Sequence, residues 1–258
     1  MKSLTVEKGN YVTTVTLDRV EKRNAMSLSM WQALGDLYQE LETDDDTRVI
    51  ILTGAGGHFC AGADISEFPT VRHNAQAGER YDVIADACEV AILESSKPTI
   101  AAIDGVCVGG GMGLAVCCDF RIASRGARFG ITAARLGIIY GLTETRILYD
   151  LVGPSSAKRI LMTGEIFPVE AAESMGLLQA LVESDALAAA QDFARKLSDN
   201  APLSVMGAKR IIASLTNGTA EQEKQGIAQR VLDAFDSEDY REGQKAFLEK
   251  RKPNFNGR

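Results

Sequence analysis

Residues 97–123 read KPTIAAIDGVCVGGGMGLAVCCDFRIA, and the changes of pattern inside this stretch decide the fold class. Thr99–Ile103 is a short apolar run bounded by Pro98 and Asp104–Gly105, which predicts a strand buried on both faces. Gly109–Gly113 then opens a helical stretch, and Phe120–Ala123 returns to a strand.

The same alternation extends outward. Upstream, Tyr11–Leu17 alternates as a strand, and Met30, Trp31, Leu34, Leu37, Tyr38 and Leu41 fall at helical spacing. Arg48–Thr53 (RVIILT) is a second doubly buried strand, running through the turn Gly54–Gly57 into Phe59–Ile65. Tyr81, Ile84, Cys88, Ala91 and Ile92 mark a helix that ends before Pro98. Downstream, Leu142–Leu151 and Ser155–Leu161 read as helices and Leu178–Val182 as the last strand. From Ala186 the pattern is all-helical, punctuated by Pro202, Asn217–Gly218 and Asp236–Ser237. The apolar faces of this tail need a partner, and a neighbouring subunit is the expected one.

Composition narrows the function classes. The 258 residues are 45% hydrophobic and 24% charged, enough for one α/β core. A net charge of −7 argues against nucleic acid, whose binding is driven by Lys and Arg. No run approaches the roughly 20 apolar residues of a membrane span, and no signal-type segment is apparent, so a cytoplasmic protein without a membrane partner is expected. Five cysteines, an odd number set mostly in apolar runs, read as reduced thiols. No metal site is expected, because the Cys117–Cys118 pair has neither a CxxC spacing nor a nearby histidine. With two histidines in the chain, neither a catalytic histidine nor a Ser-His-Asp arrangement is favoured.

Two segments carry the chemistry: Phe59-Cys60-Ala61-Gly62-Ala63-Asp64 and Gly109-Gly110-Gly111-Met112-Gly113. Each follows a buried strand with small residues that leave main-chain N–H groups bare. Where such a segment enters a helix, unpaired amides and the helix dipole favour an anion. A triple glycine alone reads first as a tight turn or a close packing point; two such segments, each after its own strand, are more specific. Phosphate and dinucleotide explanations fit poorly: GxxxxGK[ST] and GxSxG are absent, and Leu114 occupies the last position of a GxGxxG register.

The ordered set FCAGADI (59–65), KPTIAAIDGVCVGGGMGLAVCCDFRIA (97–123), ARFGITAARLGI (127–138) and AFLEKRKPNF (246–255) resembles the crotonase, or enoyl-CoA hydratase/isomerase, superfamily. The resemblance implies an α/β fold, a spiral of β-β-α units over residues 1–195, followed by a helical trimerisation region over 196–258. It also implies a homotrimer or a hexamer of paired trimers, and an acyl-CoA substrate that brings coenzyme A with it, with no prosthetic group. Carried over by position, Ala63 and Gly110 supply backbone N–H groups to the thioester oxygen. Arg23 and Ala25 line the phosphate and adenine side of the cofactor, with main chain at Ala61, Asp64, Ile65 and Gly109. Phe247 and Lys250 reach it from the C-terminal helix, although Lys250–Lys252 is equally a solvated helix end.

Two positions depart from the pattern. Hydratases of this family resemblance carry glutamates where this chain has Gly113 and Ala133, so fast hydration is not the first expectation. Tyr140, in LGIIYG, is similar in place to the active-site tyrosine of methylmalonyl-CoA decarboxylases, whose C-terminal run is also similar, although those enzymes keep a glutamate at the Gly113 position. Tyr140 is equally a packing aromatic. Glu144 is a second candidate acid or a helix-terminal residue, and Asp64 a candidate base or a helix N-cap. Asp86 and Glu89 lie on the helix around 81–92, with no placement relative to the site. An acyl-CoA-binding protein without turnover is the alternative reading.

Overall fold

The computed structural model describes residues 3–258. Its main sheet contains β1 (Leu4–Gly9), β2 (Val12–Leu17), β3 (Val49–Gly54), β4 (Thr99–Ile103), β6 (Phe120–Ser124) and β9 (Ala180–Val182), hydrogen-bonded in that order. β1 and β2 form an antiparallel hairpin, and the remaining neighbours pair in parallel. A second sheet of three short strands, β5 (Val106–Val108), β7 (Arg128–Gly130) and β8 (Phe167–Pro168), is interleaved with the first along the chain. Two successive turns, β4–β5 and β6–β7, thus leave one strand in each sheet before a helix returns the chain, as expected of a spiral of β-β-α units.

The continuous apolar runs of β3 and β4 follow from burial on both faces. Ile50, Leu52, Ala101 and Ile103 join the principal core with α1 (Leu28–Glu42), α3 (Ala75–Leu93) and α4 (Gly110–Cys117). Val49, Ile51, Ile100 and Ala102 face the other way, onto Ala186, Ala190 and Ala194 of α7 (Ala186–Ser198). The i, i+4 alanine stripe lets α7 approach the sheet closely. The first helix of the tail therefore packs on its own chain's sheet, where the sequence pattern suggested a neighbour, and the expected division at 195/196 falls inside it.

The remaining elements are α2 (Phe68–Val71), α5 (Leu142–Thr163), α6 (Val169–Ser174), α8 (Pro202–Asn217), α9 (Ala220–Asp236) and α10 (Glu238–Glu249). α5 is broken where the sequence separates two helices: Gly153 has φ 74° and ψ 169° ahead of Pro154, which has no N–H to continue the ladder. The last three helices bury little within the chain, and Ile212, Leu215, Val231, Leu232, Phe235, Phe247 and Leu248 are exposed. They are tied back by Lys209 Nζ to Asp119 Oδ2 at 2.7 Å and by Arg48, which donates to the Phe255 carbonyl at 2.7 Å. Among the described residues no helix is long and apolar enough to cross a membrane.

Candidate active site

The segment after β3 is held in place as an extra pairing element. Phe59 N donates to Asp104 O (2.8 Å), Cys60 N to Val106 O (2.8 Å), and Val108 N to Cys60 O (3.0 Å). These bonds set Gly62–Ala63 beside Gly109–Gly110. Gly62 has φ 96°, and a Cβ there would lie 2.8 Å from Val108 O and 3.3 Å from Gly110 N, so a side chain is excluded twice over. On the other side, Ala61 N donates to Arg23 O (3.0 Å), Met26 N to Gly62 O (2.7 Å) and Asp64 N to Met26 O (2.8 Å), which straps the 19–26 loop to the same segment.

Two amides remain free. Neither Ala63 N nor Gly110 N donates to an acceptor among the described residues, and Gly110 is the first residue of α4, where no intrahelical partner exists. Both residues line a cavity of about 260 Å³. Two unpaired donors on a rigid backbone, one at the positive end of a helix, can hold an oxygen that bears negative charge.

The facing wall is acidic. Asp86 and Glu89 from α3 and Glu144 from the first turn of α5 line the cavity, and each offers a carboxylate oxygen within 4.8 Å of the others. Glu89 is 5% exposed, and its Oε2 has no hydrogen-bond partner. Burial, then the charges of Glu144 and Asp86, push its carboxyl well above the usual range. Glu144, in the first turn of α5, is also pushed up, chiefly by burial. Tyr140 lines the cavity, and burial raises its phenol, so it stands as a neutral donor. An aromatic flank completes the site: Trp31 Nε1 donates to Tyr81 Oη at 2.8 Å, and Arg72 lies over the Tyr81 ring at 4.9 Å while pairing with Asp82.

Over residues 7–258 the chain matches the Enoyl-CoA hydratase/isomerase family. It is 36% identical to the (E)-benzylidenesuccinyl-CoA hydratase of Thauera aromatica, covering 98% of this chain and 99% of that one. The chain belongs to the enoyl-CoA hydratase/isomerase family. It is 32% identical to the 1,2-epoxyphenylacetyl-CoA isomerase of Escherichia coli K12, over 98% of this chain and 97% of that protein. A crystal structure of an enoyl-CoA hydratase/isomerase family protein from Hyphomonas neptunium superposes with a TM-score of 0.95 at 39% identity, over 99% of this chain and 98% of that one. The fold and the general acyl-CoA-processing character of this crotonase family follow from these matches.

Of the positions singled out in the sequence, Ala61, Ala63, Ile65, Gly109, Gly110, Tyr140 and Glu144 line one cavity. Arg23 and Ala25 stand behind Ala61 in the strapped loop, Arg23 exposed and Ala25 buried. Asp64 takes the capping role: its Oδ1 accepts from Ser66 N at 3.0 Å, and its Oδ2 lies 2.8 Å from Arg19 Nη1. His58 accepts from Val106 N through Nδ1, a structural contact. Phe247 and Lys250 do not line this cavity in the single chain; Phe247 borders a separate apolar cavity of about 740 Å³ among α8, α9 and α10.

The sequence did not place Glu89 at the site. Its signal was there: Glu89 shares the inward stripe of α3 with Tyr81, Cys88 and Ile92, all buried, so a carboxylate stands at a core-facing position of the helix.

Proposed function

We propose that the protein processes a short or branched acyl-CoA by stabilising its thioester enolate, with the amides of Ala63 and Gly110 as the oxyanion hole. The observation that carries this reading is that these two unpaired N–H groups face one cavity from separate segments. Charge gathers on the thioester oxygen in enolate chemistry, and a preorganised donor is worth about 3–4 kcal/mol there. Coenzyme A then runs along the strapped loop, past Arg23, Ala25, Ala61, Asp64 and Ile65. The exposed apolar faces of α8, α9 and α10 support a C-terminal oligomerisation region from about residue 196 and a homotrimer or a dimer of trimers. Phe247, 84% exposed, and Lys250 reach the cofactor in such an assembly.

A second reading has its own support. Positions 113 and 133 carry no carboxylate, while Tyr140 lines the cavity, and loss of CO₂ generates an enolate without removal of a C–H proton. In this decarboxylase-like version Tyr140 orients the departing carboxylate. The experiment is a thioester panel: crotonyl-CoA followed by loss of its enoyl absorbance, and malonyl-type thioesters followed by CO₂ release, with CoA-affinity capture as the control for binding. Turnover of either class is expected. Capture without turnover of any thioester would favour the alternative of an acyl-CoA binder.

A further inference from the structure

We propose that Glu89 is a catalytic residue of this site, the carboxyl that exchanges a proton with the α-carbon of the bound thioester; this rests on the reading of Ala63 and Gly110 as the enolate's donors. The argument begins at Gly113, on the inner face of α4. A Cβ at Gly113 would collide with Glu89 Oε1 and lie 2.9 Å from Tyr140 Oη. The carboxyl of Glu89 therefore occupies the volume that a side chain at 113 would need. α4 supplies no acid there; α3 supplies one in the same space.

The setting suits an acid that is held ready. Glu89 is buried, its Oε2 is unpartnered, and it lines the cavity that the Ala63 and Gly110 amides also line. The titratable groups that face it are Asp86 on α3 itself, Glu144 on α5, Tyr140 in the segment before α5, and Cys117 on α4. Cys88 adjoins it on α3, with Asp36 of α1 behind that thiol. None of these carries positive charge, and Arg72, which is paired with Asp82, acts on Glu144. Burial and the two carboxylates favour the protonated form, so the group is a donor at rest and a strong base once ionised.

The step moves one proton. As the enolate is protonated, its electron pair forms the Cα–H bond while the O–H bond of Glu89 breaks. Negative charge passes from the thioester oxygen to the carboxylate, which regains its proton from water. In reverse, the carboxylate removes the α-proton and charge collects on the oxygen between Ala63 N and Gly110 N.

The test is wash-in of deuterium at Cα of butyryl-CoA in D₂O, alongside calorimetric binding of the same thioester. The wild-type protein is expected to bind and exchange, faster as pH rises through the raised ionisation of Glu89. Glu89→Gln is expected to bind within about threefold and to lose about 10²–10⁴-fold in exchange. Should that variant fail to fold, Gly113→Ala reads the same geometry from α4: its methyl displaces the carboxyl and exchange falls while the fold persists. Wild-type protein that does not bind butyryl-CoA removes the parent reading and this inference with it. Binding without exchange, or exchange retained in Glu89→Gln, overturns this inference alone. Exchange that requires a divalent cation and stops with EDTA also overturns it, by putting an ion among the carboxylates in place of the proton.

Discussion

One wall of the cavity is backbone and the other is side chain. Ala63 N and Gly110 N are held by strand pairing and a helix start, so no single side-chain deletion removes them. Asp86, Glu89 and Glu144 are carried on two helices, and their charge depends on burial and on one another. The backbone wall is suited to what every thioester enolate shares, the charged oxygen. The side-chain wall is free to change its supplier, because a proton can be delivered to one point in space from more than one helix. Gly113 and Glu89 are the instance here: one helix gives up the volume and the other fills it.

The largest expected effect tests that exchange of suppliers directly. Gly113→Glu alone puts a second carboxyl where Glu89 already stands, and turnover of the thioester found in the panel should fall about 10²–10⁴-fold. Glu89→Ala alone should fall similarly. The double variant, Glu89→Ala with Gly113→Glu, returns one carboxyl to the space and should recover to within about tenfold of wild type, a coupling far outside additivity. A double variant no better than the weaker single one would show that the two positions do not serve the same point.

The backbone wall can be challenged only by crowding. A Cβ at Gly110 would lie 2.9 Å from Trp31 Cζ2 and 3.7 Å from Ala63 N. Gly110→Ala should therefore push the indole and cover the second donor, lowering turnover about 10²-fold, near the low end of what losing one such donor costs. CoA itself, without an acyl group, should bind as before, since its expected contacts along the 19–26 loop are untouched. A loss of CoA affinity equal to the loss of turnover would instead place Gly110 on the cofactor side.

How much of this was legible in the sequence depended on how many residues carried each signal. β3 and β4 stood out because both faces are buried and their apolar runs, Val49–Leu52 and Ile100–Ile103, are unbroken. The break in α5 was readable from Gly153–Pro154, where the missing N–H is a property of the residue itself. β5, β7 and β8 are two or three residues long, too short for any period to register. The partner of α7 was misjudged because an alanine stripe names no surface, and only the topology shows that the second face of the sheet lacks cover without it. At the site, small residues marked the two segments, and the resemblance to the family singled out Ala63 and Gly110 within them. Glu89 was not, since helical spacing shows that it faces inward but not what it faces. Glu144 and Asp64 were each left between a chemical and a capping role; Asp64 caps, and Glu144 stands in the first turn of α5 and lines the cavity.

The smallest expected effect separates the two walls by their stability. An unpaired amide at a helix start costs the fold little, whereas a buried carboxyl is a liability whenever the solvent favours its charged form. The unfolded chain releases the Glu89 proton in the ordinary range, about 4.3, while the folded protein holds it to higher pH because of burial and the charges of Glu144 and Asp86. Between those two values the unfolded state binds fewer protons than the folded one, so this residue lowers stability as pH rises. Glutamine has no proton to lose. Glu89→Gln should melt with the wild type near pH 4 and, at neutral pH, above it by about 3 °C, read by thermal unfolding across the series. The same substitution would then stop the chemistry and steady the fold, as expected of a carboxyl kept for function at the expense of packing. Equal melting at both pH values would mean that the Glu89 proton is not held by the fold, and the side-chain wall would lose its resting acid.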